Sequence, residues 1–167
     1  MKKYPLYFSL LITLCTVFNT AWATQSILLF GDSVSAGYQM SPEQSWAHLL
    51  NERLIKEKAP YRLINASISG ETTSGGANRM QTMLEKHQPS IVILELGGND
   101  GLRGTPTKLI TKNLTYMINL SESMGAKTLL LGMRIPPNYG QRYSELFAQQ
   151  YTQLATELNV TLLPFLL

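Results

Sequence analysis

Apolar residues gather in five short runs along the chain: 26–30 (SILLF), 61–64 (YRLI), 91–96 (IVILEL), 127–133 (KTLLLGM) and 160–163 (VTLL). Each run is nearly continuous rather than alternating, as in strands covered on both faces. Between the runs the period changes to that of a helix. Residues 42–57 bring Trp46, Leu49, Leu50 and Leu54 to one face, with Ser41 and Gln44 as a capping box and Pro42 at the first helical position. Residues 74–87 align Ala77, Met80 and Leu84. Residues 106–123 align Ile110, Leu114, Met117 and Ile118, opened by Thr105 and Pro106 and followed by Gly125. Residues 141–158 align Phe147, Tyr151, Leu154 and Leu158.

Strand and helix in alternation predict an α/β fold, a three-layer α/β/α sandwich around a five-stranded parallel sheet. Right-handed crossovers leave few alternatives to a doubly wound order. Ligands in such folds gather beyond the carboxyl ends of the strands. The polar and glycine-rich stretches fall at that edge. Gly31-Asp32-Ser33 follows the first strand, and NASISGETTSGG (65–76) follows the second. GGNDG (97–101) follows the third, and RIPPNYG (134–140) follows the fourth. Four loops at one edge can build one site.

Composition narrows the picture. Residues 1–23, MKKYPLYFSLLITLCTVFNTAWA, place two lysines before an apolar stretch that ends in Ala21-Trp22-Ala23. This is the layout of a signal peptide cleaved after Ala23, leaving one domain over 24–167. Asn19 and Thr20 interrupt the apolar stretch, which argues against a stable membrane span. Cys15, the single cysteine, leaves with the signal, and it lacks the preceding small residue of a lipid-modified cysteine. The mature chain then holds no thiol, disulfide or cysteine-based metal site. Loss of Lys2 and Lys3 takes the net charge from +3 to +1. With no basic run, nucleic-acid binding has no support.

Each cluster also has an ordinary reading. Gly31-Asp32-Ser33 can be a plain turn. SGETTSGG lacks the lysine of a phosphate loop and the dinucleotide spacing. His48 falls inside the first helical pattern, beside its apolar face, and is expected to be partly covered. His87 closes the second pattern just before Pro89, where a helix dipole favours it. Both histidines are expected well away from the carboxyl edge of the sheet.

Taken together, the blocks GDSVSAGY, NASISGETT, LELGGNDGLRG, NYGQRY and LLPF resemble the SGNH (GDSL) hydrolase family, and within it the periplasmic bacterial thioesterases and lysophospholipases. The likeness runs in order over residues 25–167. Val34 stands where the family's first motif usually has leucine. The resemblance implies a flavodoxin-like fold with Ser33 as nucleophile. It implies an oxyanion hole made by the amides of Ser33 and Gly70 and the side-chain amide of Asn99. A glycine lets its N–H approach a substrate closely, and asparagine is a neutral donor at every working pH. Asp32 is not expected to be the triad acid, because successive residues usually point apart. The implied substrates are acyl-CoA thioesters, lysophospholipids and simple esters. No metal or other cofactor is implied, and the complete protein is expected to be a monomer in the periplasm.

The resemblance implies one more element, an Asp-x-x-His motif between the fifth strand and a final helix. That pattern occurs nowhere in the 167 residues. The chain therefore reads as truncated at its C-terminus, without the triad Asp and His and the final helix, and is expected to be inactive as it stands. The competing readings are a carbohydrate O-acetylesterase on the same fold and a non-catalytic acyl- or lipid-binding remnant.

Overall fold

All five apolar runs become strands: β1 (Gln25–Gly31), β2 (Tyr61–Asn65), β3 (Ile91–Glu95), β4 (Lys127–Leu131) and β5 (Thr161–Leu163). The computed structural model describes residues 24–166, so the signal segment and Cys15 lie outside the described residues. The strands form one sheet in the order β2-β1-β3-β4-β5, and every pairing is parallel. The order reverses at β1, whose neighbours β2 and β3 are its two successors in the chain. A reversal of this kind opens a crevice at the carboxyl edge, and the chain carries Ser33 there directly out of β1.

Helices α1 (Ser33–Ala36), α2 (Trp46–Lys56), α3 (Thr73–His87), α4 (Gly98–Leu102), α5 (Thr107–Ser123) and α6 (Gln141–Leu158) fill the connections. The main core lies on one face of the sheet. There Met80 and Leu84 of α3, Ile110, Leu114, Met117 and Ile118 of α5, and Phe147, Tyr151 and Leu154 of α6 pack on Leu28, Phe30, Val92 and Leu94. On the opposite face, Ala47, Trp46, Leu50 and Leu54 of α2 pack with Ile27, Leu29, Leu63 and Ile93. The three-layer α/β/α architecture is thus present. After β5 no further helix occurs among the described residues.

The predicted helix 42–57 is two elements. Pro42–Gln44 form a single 3-10 turn, and α2 begins at Trp46 with Ser45 as its cap. Gln44 does turn back onto the Ser41 amide, but at 3.4 Å and within the 3-10 turn. Leu49 was placed on the buried face and is 57 % exposed. Trp46, Ala47, Leu50 and Leu54 define the buried stripe, and at 100° per residue Leu49 falls well outside it.

Among the described residues no helix is long and apolar enough to cross a membrane.

Candidate active site

Gly31 ends β1, Asp32 caps α1, and Ser33 is the first residue of that helix. The Asp32 side chain accepts the Val34 amide at 3.0 Å and so closes the first turn around Ser33. Ser33 is half-buried, while Val34 beside it is exposed. A strand that runs straight into a capped one-turn helix presents a serine at a sheet edge with little freedom.

Asn99, in α4 just past β3, donates its side-chain amide to Asp32 Oδ2 and to the Glu71 carbonyl, each at 3.0 Å. These two bonds draw the β1, β2 and β3 loops to one point. The sequence-derived trio of Ser33, Gly70 and Asn99 is therefore brought together. The amide of Asn99 is already in use in this state, which the sequence reading did not foresee.

Gly70 has φ +82°, with nothing within 4 Å of where a Cβ would stand. A positive φ at an open position suits glycine. The next residue is firmly held. Glu71 receives Arg79 Nε at 2.6 Å, and the Arg79 guanidinium lies 3.8 Å from the centre of the Phe30 ring. Behind it Asp100 accepts both the amide and the hydroxyl of Thr73. The loop between β2 and α3 is thus anchored directly after its exposed glycine.

Two buried carboxyls lie beneath Ser33. Glu95 Oε2 accepts the Ser35 hydroxyl at 2.6 Å and the Asp32 amide at 3.2 Å. Burial, and then the nearby Asp32 charge, push the Glu95 carboxyl up to about 7. Burial also raises Asp32, against the bonds it accepts from the Val34 amide and Asn99. Sequence reading missed Glu95 by absorbing it into an apolar run. The signal was there, since an acid inside a strand covered on both faces needs a specific reason.

The histidines divide. His87 lies at the far edge of the sheet, its carbonyl accepting the Ser26 hydroxyl near the start of β1. His48 departs from expectation. It is exposed rather than partly covered, and it lines a cavity of about 290 Å³ with Gly37, Met40 and Asn65, at the carboxyl edge. The cause is direction. Helix α2 runs back against the strands, so its first turn lies where β2 ends. No cluster of three metal-binding side chains occurs among the described residues.

A protein-family comparison assigns residues 29–167 to the GDSL-like lipase/acylhydrolase family. The chain belongs to that family. An arylesterase of Vibrio mimicus is 48% identical over 145 residues, covering 87% of this chain and 72% of the relative. The thioesterase 1/protease 1/lysophospholipase L1 of Escherichia coli K12 is 42% identical over 161 residues, covering 96% of this chain and 74% of the relative. A psychrotrophic esterase, EstA from Pseudoalteromonas sp., was solved inhibited by monoethylphosphonate. It shares 43% identity at a TM-score of 0.81, over 83% of this chain and 76% of that one. As a GDSL-like acylhydrolase the chain is a hydrolase, and its α/β fold with a five-stranded parallel sheet matches that of the solved relative.

Proposed function

We propose that this acylhydrolase is a serine esterase and thioesterase that cleaves acyl esters and thioesters through an acyl-enzyme on Ser33. The observation that carries this reading is the convergence on Ser33 of Asn99, through Asp32, and of the Gly70 loop, through Glu71. Val34, Ile68 and Leu102 are exposed apolar side chains on the same three loops, which suits an acyl chain better than a sugar. In the proposed reaction Ser33 Oγ attacks the carbonyl carbon while a base takes its proton. The oxyanion receives the amides of Ser33 and Gly70 and one N–H of Asn99, which leaves a present acceptor to do so. Each such donor is worth roughly 3 kcal/mol in the transition state. The intermediate expels the thiolate or alkoxide, and water then releases the acid by the reverse path.

The base belongs to an Asp-x-x-His motif that we place beyond residue 167, in keeping with the greater length of the relatives. We further propose export to the periplasm with cleavage after Ala23, a mature monomer, and acyl-CoA, lysophospholipid and simple esters as substrates. The test is a fluorophosphonate probe on the full-length gene product, with the labelled peptide mapped by mass spectrometry. Labelling at Ser33, lost in Ser33→Ala and kept in His48→Ala, is the expected result. Labelling that survives Ser33→Ala would move the nucleophile elsewhere. Hydrolysis of p-nitrophenyl octanoate separates this reading from an acetylesterase, and the N-terminal mass of the secreted protein checks the cleavage site.

A further inference from the structure

Strand β3 is paired on both sides, and Val92 to Glu95 are buried along it. Glu95 is 1 % exposed. A carboxyl in that position is tolerated only with strong partners. Its partners are unusual in their placement. One oxygen, Oε2, takes the amide of Asp32 and the hydroxyl of Ser35, the residues on either side of the Ser33–Val34 pair. The same carboxyl fills the space opposite Gly31, its partner in the strand register, where a Cβ would collide with Oε2 and with Ser35. The other oxygen, Oε1, has no hydrogen-bond partner among the described residues.

We propose that Glu95 is a positioning residue, whose single oxygen fixes both flanks of the nucleophile turn and thereby the direction of Ser33 Oγ. The inference rests on Ser33 being the nucleophile. Glu95 is not hydrogen-bonded to Ser33; it lines a small cavity with Val34 and Met133, and it acts on the serine through the Asp32 amide and the Ser35 hydroxyl. A misplacement of about 1 Å at a reacting atom can cost about 10²-fold in rate. An ionised carboxylate is also a stronger acceptor than a neutral one. The hold on the turn therefore tightens as Glu95 loses its proton. The charged and titratable groups around it are Asp32 from the β1–α1 turn, itself beside Asp100 of α4, then Arg134 after β4 and Tyr151 of α6.

The experiment compares wild type, Glu95→Gln, Glu95→Ala and Ser35→Ala in the full-length gene product. It reads kcat and KM on p-nitrophenyl butyrate from pH 6 to 8, and the rate and site of fluorophosphonate capture. Glu95→Ala should lower kcat and the capture rate by about 10²-fold with KM within about twofold. Glu95→Gln keeps an acceptor oxygen, so it should match wild type at pH 6 and fall behind it, about threefold, at pH 8. Ser35→Ala removes one of the two bonds and should lose roughly tenfold in kcat, which carries the test if Glu95→Ala does not fold. A folded Glu95→Ala with wild-type kcat, or a Gln variant as poor as Ala at every pH, overturns the proposal. Capture mapped to a residue other than Ser33 overturns the reading beneath it instead.

Discussion

The carboxylate of Asp100 takes the amide and the hydroxyl of Thr73, each at 2.8 Å, and both residues are buried. Asn113 of α5 adds a third bond, to the Thr73 hydroxyl, at 3.1 Å. The start of α3 is thereby pinned to α4 and α5 within one small polar cluster. Asp100→Ala leaves two buried donors without an acceptor and should destabilise the fold by about 3 kcal/mol. Asp100→Asn should cost roughly half as much, since it keeps one acceptor. Urea unfolding measures both. A loss under about 1 kcal/mol in the alanine variant would mean that water replaces the carboxylate.

Asn99→Ala should lower turnover by roughly 10²–10³-fold, because its donor is needed when charge develops on the substrate oxygen. Its ground-state bonds at 3.0 Å are ordinary ones, so stability should fall by only about 1 kcal/mol. The check is kcat against urea midpoint for the same preparation. An unchanged kcat in a folded variant removes Asn99 from the oxyanion hole.

Glu95 should make the fold less stable as pH rises. Its carboxyl titrates at about 7 in the fold against an ordinary 4.5, so the folded state binds the proton more tightly than the unfolded one. Its contribution is most favourable below about 4.5, declines through the window between, and levels off above about 7. The swing is on the order of 3 kcal/mol. Asp32 is raised as well and acts in the same direction. Glu95→Gln cannot titrate, so it should flatten the dependence and be the more stable protein at pH 8. Urea unfolding at pH 5 and pH 8 decides the point, and equal slopes in the two proteins would refute it.

Gly31→Ala should cost about 1–3 kcal/mol by overpacking, since the new methyl meets the Glu95 carboxyl and the Ser35 side chain. In a Glu95→Ala background the first collision disappears, and the cost should shrink by about 1 kcal/mol or more. A double-mutant cycle by thermal unfolding measures the difference. Strict additivity would show that the two sites do not share that space.

The regular elements were legible because their periods are long and clean. Residues 106–123 and 141–158 became α5 and α6 almost as read, and Ile110, Leu114, Phe147 and Tyr151 are buried. Short elements were not legible. Helices α1 and α4 have four and five residues, too few for a period, and α4 begins in glycines that read as a turn. Helix α2 was misread at its start because Pro42 suits a 3-10 turn as well as an α-helix, and Ser45 competes for the cap. The roles of Ser33, Gly70 and Asn99 came from the family resemblance, and the structure gathers the loops that carry them. Glu95 and the Arg79–Glu71 pair were not found, because their meaning lies in contacts between distant segments. The position of His48 required the direction of α2 against the sheet, which a residue list does not state.

The bonds that tie the Ser33 turn to β3 and α4 are all distant in sequence. Glu95 to Asp32 spans 63 residues, Glu95 to Ser35 spans 60, and Asn99 to Asp32 spans 67. None can form until β3 has docked beside β1, and closing that gap is a slow, entropy-limited step. The serine is thus armed late, by the assembly of the centre of the sheet rather than by its own segment. Under the export proposed above, this timing would keep the esterase quiet in transit. Its reactivity toward a phosphonate then serves as a clock for the last stage of folding.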